Sequence, residues 1–172
     1  MPKNIKLIQF YYDMEEELSF DTDDEGWDVW HVKIYEELHP ENIKTVEKPE
    51  EHETVKYCEI KYEAIKSLPD WEGIEDYCVD AQKLSCTMDK GEPWRNYQEI
   101  AQELVGEQEI WSQLGGYPHW IQGNENPNKG NFELLFQIDS EDNAGLMWGD
   151  CGLVYVFYDN VTKKTAFTSQ CY

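Results

Sequence analysis

Apolar and polar positions along the chain alternate with two periods, one near 2 and one near 3.6, and their order predicts strands at both ends with helices between. Ile5 to Asp13 (IKLIQFYYD) is a short apolar and aromatic run, expected as a buried strand. Trp27, Val29, His31, Lys33 and Tyr35 alternate with Asp28, Trp30, Val32, Ile34 and Glu36, a second strand with both faces partly covered. His39 to Thr54 is polar and broken by proline, a surface loop. Val55 to Ile65 sets Tyr57, Glu59 and Lys61 against Cys58, Ile60 and Tyr62, which predicts a long half-exposed strand.

The period then lengthens. Ser67-Leu68-Pro69-Asp70 turns into a helix in which Trp71, Ile74, Tyr77 and Cys78 share an apolar face. Pro93 suits the first turn of another helix, with Trp94, Tyr97, Ile100, Ala101, Leu104 and Val105 as its buried stripe and Gly106 near its end. From Leu114 the chain reads as strands again: a Gly115-Gly116 turn, a strand Leu134–Asp139, a turn through Ser140–Asn143, and a tight reversal Trp148-Gly149-Asp150-Cys151-Gly152. Strands Leu153–Asp159 and Thr165–Tyr172 complete the pattern. One echo runs across the chain: Ile8-Gln9-Phe10-Tyr11-Tyr12-Asp13 lines up with Val154-Tyr155-Val156-Phe157-Tyr158-Asp159.

Composition sharpens this picture in three ways. At 172 residues the chain fits one domain, or one domain with an appendage, and 7 Trp, 11 Tyr and 6 Phe supply an aromatic core despite the charge. Fourteen Lys and Arg against 36 Asp and Glu give −22, a surface that repels nucleic acid and anionic membrane and favours basic partners; plain solubility is the competing use of such charge. No apolar run approaches the length of a membrane span and Met1-Pro2-Lys3-Asn4 opens no signal peptide, so a cytoplasmic location is expected. Five cysteines without a C-x-x-C pair are expected as reduced, mostly buried thiols.

Candidate chemistry is sparse. Asp21, Asp23 and Glu25 match the first ligand positions of a Ca²⁺ loop and Gly26 its turn glycine, yet Val32 stands where its bidentate Glu belongs, so a solvated acidic hairpin competes with a metal site. His52-Glu53 begins a metalloprotease motif that Lys56 ends. Asp139, Asp142, Asp150 and Asp159 fall at strand ends, where carboxylates group around a cation, act as an acid/base pair or simply cap turns. His119 and Cys151 have the chemistry of a nucleophilic pair, without a spacing that joins them. Trp27, Trp30, Tyr117, Trp120 and Trp148, with His119 and Asp150, are the candidates for a binding surface; core packing is their other use. No phosphate loop, nucleophile elbow or dinucleotide fingerprint is present, and no cofactor is expected.

The ordered blocks Leu114–Pro118, Trp120–Gln122, Leu134–Asp139, Met147–Gly152 and Val154–Asp159, with Ile8–Asp13, Ser67–Asp70 and Phe167–Tyr172, resemble the YwqG-like family of bacterial domains. The resemblance implies a mainly β (α+β) domain over residues 1–172, a partly open β-barrel or roll of two related halves with peripheral helices. It also implies a further strand ahead of Ile5, without a counterpart here, so an open sheet edge is expected, covered by a helix, a partner or a second copy as a homodimer. The family's genomic association with toxins suggests a non-enzymatic interaction or immunity role against a basic protein. The alternative is a small-ligand or Ca²⁺-binding module, or an enzyme, with a carboxylate-lined cleft.

Overall fold

The computed structural model describes residues 4–13, 29–45, 55–107, 112–127 and 131–172. Strands β1 (Leu7–Tyr12) and β2 (Trp30–Tyr35) form a two-stranded antiparallel sheet in which Leu7 faces Tyr35 and Tyr12 faces Trp30. Helices α1 (Ile74–Tyr77), α2 (Val79–Met88) and α3 (Pro93–Val105) follow. Strands β3 (Gln113–Leu114), β4 (Phe132–Asp139), β5 (Leu153–Asp159) and β6 (Thr165–Gln170) then make a four-stranded antiparallel sheet in that order. The architecture is α+β and rich in strand.

Alternation decides which sheet faces which. Ile8, Phe10 and Tyr12 of β1 and Trp30, Val32 and Ile34 of β2 point to one side and pack on Leu135, Phe136, Val154, Val156, Tyr158 and Phe167 of the larger sheet. Phe10 meets Phe136 edge-on at 5.5 Å and Phe167 at 6.2 Å, and Trp30 stacks on Phe167 at 5.3 Å. Each large side chain so buried contributes about 1.5–3 kcal/mol, so this aromatic layer is what holds the small sheet against the large one. All seven residues of β5 are buried, as expected of a strand covered on both faces.

β4 carries a β-bulge between Leu134 and Phe136. Leu134 faces away from the small sheet, while both Leu135 and Phe136 face it. The extra residue resets the alternation, so Gln137 faces the same side as Leu134. The carbonyl of Leu135 accepts the N–H of Gly115 at 2.9 Å, which ties the end of β3 to the bulge.

Among the described residues the two sheets do not close into a barrel. Three expectations change on the structure. Residues 55–65 form no strand; they are exposed throughout, and Tyr57 is 90% exposed. A strand pattern needs a partner ladder, and no described residue supplies one here. The α3 stripe is not buried: no residue of α3 falls in the core, because the helix packs mainly on α2 rather than on a sheet. The thiols are not buried either: Cys58, Cys78, Cys86 and Cys151 are exposed and Cys171 is half-buried. Cys78 breaks the helical run between α1 and α2 and faces solvent, and Cys151 lies in a solvent-facing turn. The acidic Ca²⁺-loop candidates Asp21, Asp23 and Glu25, and Trp27, lie outside the described residues.

Candidate functional site

The second face of the large sheet is covered by a strap, residues 115–127, with no regular secondary structure. It begins at the Gly-Gly turn, where Gly115 and Gly116 have φ of 65° and 79°, a region that side chains disfavour. A Cβ on Gly116 would also sit 2.7 Å from Ser67 Oγ. Trp120 is the strap's anchor. Its ring packs on Tyr155 at 4.8 Å and stacks on Phe157 at 6.0 Å, over a floor of Leu134, Leu153 and Ala166.

A buried strap leaves peptide groups that need partners. The sheet supplies them from side chains. Gln137 Oε1, placed on this face by the bulge, accepts the His119 N–H at 3.0 Å, and the Tyr155 hydroxyl donates to the His119 carbonyl at 2.6 Å. Gln170 Oε1 accepts from Ile121 N at 2.9 Å and Gln122 N at 3.1 Å, while its Nε2 donates to the Gly123 carbonyl at 2.6 Å. Both glutamines are buried. Thr168 donates its hydroxyl to Glu125 a little further along.

The helical side closes the same site. Asp70 accepts the Trp120 N–H at 2.6 Å on one oxygen and the Gly73 N–H at 2.8 Å on the other. Burial pushes its carboxyl up to about 6, against the pull of those two N–H groups. The Tyr97 hydroxyl donates to the Pro69 carbonyl at 2.6 Å, and Tyr77 meets Tyr117 edge-on at 4.7 Å. Burial, chiefly, pushes both Tyr77 and Tyr97 up to about 12, and burial lowers His119 so that its imidazole favours the neutral form. Tyr77 and Tyr97 therefore keep their protons at neutral pH, and the hydrogen bonds of Asp70 and Tyr97 fix the strap and the turn beside it.

The predicted site residues divide between the two faces. Tyr117, His119 and Trp120 lie in the strap. Trp148 lies on the other face, edge-on to Tyr12 at 5.2 Å, with its Nε1 donating to the Asp139 carbonyl at 3.2 Å. Asp150 is exposed in the reversal before β5, where its carbonyl accepts the Tyr172 N–H at 3.1 Å. The carboxylates cap turns: Asp139 Oδ1 accepts Ser140 N at 2.8 Å, and Asp159 Oδ1 accepts Val161 N at 2.7 Å and Thr162 N at 3.2 Å. Those N–H bonds hold Asp159 below the usual carboxylate range, whereas desolvation raises Asp139. Among the described residues no group of three or more His, Cys, Asp or Glu is arranged to hold a metal ion.

Comparison with protein families gives one assignment. The model of the family described as "Domain of unknown function (DUF1963)" matches residues 2–168. The chain belongs to that family. No curated protein matches it.

Two further features of this DUF1963 domain escaped the sequence pattern. A cavity of 480 Å³ opens between β2 and the β5–β6 turn, lined by His31, Ile34, Glu36, Tyr158, Lys163 and Thr165 among others. It lies at the opposite end of β5 from Asp139 and Asp150. Lys163 reaches Glu36 at 3.8 Å and the Tyr158 ring at 5.8 Å there. The second feature is the outer side of the helix pair, where Ile100 is 43% and Leu104 67% exposed, with exposed Leu84 and Met88 on α2. Its signal was present, since α3 is strongly amphipathic, but amphipathicity does not say what covers the apolar side. No described helix of the domain is long and apolar enough to cross a membrane.

Proposed function

We propose that this chain is a protein-interaction module of the immunity or antitoxin type that docks a basic partner, such as a toxin, and catalyses nothing. One observation carries the reading. Ile100 and Leu104, one helical turn apart on α3, form an exposed apolar ridge beside the exposed carboxylates Glu99 and Glu103. Exposed apolar side chains rimmed by charge mark contact surfaces, and carboxylates at the rim favour a basic amphipathic segment. The net charge of −22 speeds encounter with such a partner.

Within DUF1963 we place the chain among the YwqG-like bacterial domains, acting in the cytoplasm, on its ordered motif blocks. The reading of two related halves draws support from β1–β2 and β5–β6. Each is an antiparallel pair opened by the echoed motif.

The test is affinity capture from a lysate at low and high salt, with wild type and the Ile100→Asp/Leu104→Asp variant as baits. Neither position is buried in the core, so the variant should melt as wild type does. A basic protein retained at low salt, released at high salt and missed by the variant is the expected result. Equal capture by both baits overturns the docking surface.

The cavity beside Lys163 favours a second reading, a small-ligand module, since its volume is within the usual range of ligand pockets, about 300–1,000 Å³. Thermal shift against metabolites and Ca²⁺ tests it, and a saturable rise removed by Lys163→Ala would move the assignment there.

A further inference from the structure

The stretch 55–65 combines features that do not belong together in a monomer. Its sequence alternates as a strand does, with β-branched and aromatic residues, yet no described residue pairs with it along its length. It is held at both ends: the Lys56 N–H donates to the Ala144 carbonyl at 2.8 Å, and Ser67 to Asp70 lead directly into the strap network. Between those anchors Tyr57, Ile60 and Tyr62 are 90%, 72% and 71% exposed. An anchored, strand-patterned segment with exposed apolar side chains and no ladder among the described residues is a template for a strand from another chain.

Its charges name the chain. Against −22 overall, Lys56 and Lys61 here balance Glu59 and Glu63, so two copies can approach along this stretch without the repulsion that the rest of the surface imposes. Their order is also self-complementary. In an antiparallel pair centred on Ile60, each Glu59 lies opposite Lys61 of the other copy, and Val55 lies opposite Ile65. Cys58, Ile60 and Tyr62 then line the middle of the second face, with Cys58 opposite Tyr62, and Lys56 lies opposite Ala64 at each end.

We propose that residues 55–65 pair antiparallel with the same residues of a second copy about Ile60, forming a two-fold dimer through a shared two-stranded ribbon. This does not rest on the basic-partner reading, since it uses a different surface, and the Ile100→Asp/Leu104→Asp variant should dimerise as wild type does.

Sedimentation of the purified chain tests it. Wild type is expected to be a reversible dimer. Glu59→Lys and Lys61→Glu each place like charges opposite one another twice in the ribbon and should weaken the dimer about tenfold or more. The double swap Glu59→Lys/Lys61→Glu restores both pairs and should recover wild-type association. Lys61→Pro removes a ladder N–H beside the centre, because the Lys56 N–H turns the even-numbered backbone groups toward Ala144 and leaves the odd-numbered ones for the second copy, and should leave a monomer. These positions are exposed, so all four variants should stay folded and match the wild-type melting temperature at concentrations low enough for wild type to be monomeric. A monomeric wild type overturns the proposal, and so does a double swap that associates no better than the single ones.

Discussion

Gln170→Glu exchanges one atom and should reveal how the strap is held. Gln170 serves three peptide groups at once, as acceptor for Ile121 and Gln122 and as donor to Gly123. The glutamate keeps the acceptor but turns the donor into a second oxygen facing the Gly123 carbonyl. The site is buried, so desolvation raises the new carboxyl strongly, while the two N–H groups take part of that back; a net rise of about 2 units above the unfolded value of about 4 is reasonable. At neutral pH this costs about 3 kcal/mol, and the lost donor bond adds about 1 kcal/mol. The folded pKa is raised, so the folded variant binds more protons than the unfolded chain between about pH 4 and pH 6. Its penalty relative to wild type should therefore shrink as pH falls through that window, when an O–H again donates to Gly123. Urea unfolding followed by tryptophan fluorescence, with variant and wild type compared at neutral pH and at about pH 4.5, gives both numbers. Gln170→Leu, which cannot titrate, should show a loss independent of pH. A Gln170→Glu penalty that is below about 1 kcal/mol, or unchanged by acid, would refute the reasoning.

The remaining predictions concern single sites. Asp70 is raised to about 6 by burial, so the folded protein binds more protons than the unfolded chain between about pH 4 and pH 6, and wild-type stability should fall by up to about 3 kcal/mol as pH rises through that window. Asp70→Asn should flatten that slope in a pH series of urea unfolding. Gly152→Ala should destabilise by about 3 kcal/mol or more, because its Cβ would fall on the Gln170 carbonyl and 2.5 Å from that of Trp148; thermal melting reads this directly. Ser169→Ala should stabilise by about 1 kcal/mol in the same assay, because the hydroxyl is buried without a hydrogen-bond partner among the described residues.

How much of this was legible in the chain depends on where each contact ends. β1, β2, β4, β5 and β6 were readable because both faces of each alternate or fill with apolar side chains, and Pro93 marked the start of α3. The strand pattern at 55–65 was legible as propensity, but a ladder is a property of two segments, and sequence shows only one. The strap was legible only at its ends, as the Gly-Gly turn and Trp120. Its fastening by Gln137 and Gln170 was not, since a glutamine in a strand gives no local sign of being buried and bonded. Trp148 and Trp120 looked alike in sequence, and the sheet between them put one in each core layer.

The irregularity in β4 has a consequence for how this family member can vary in length. Strands are ordinarily intolerant of losing a residue, since every side chain beyond the gap changes sides. Here Leu134, Phe136 and Gln137 would follow strict alternation if Leu135 were absent, with Phe136 still toward Phe10 and Gln137 still beneath His119. β4 thus holds one surplus residue. A deletion at Leu135 loses one side chain and the anchor for Gly115, whereas a deletion at Glu133 or Ile138 would also put the strand out of phase. Length differences between relatives should therefore collect at this position, making it the point from which to number their strands.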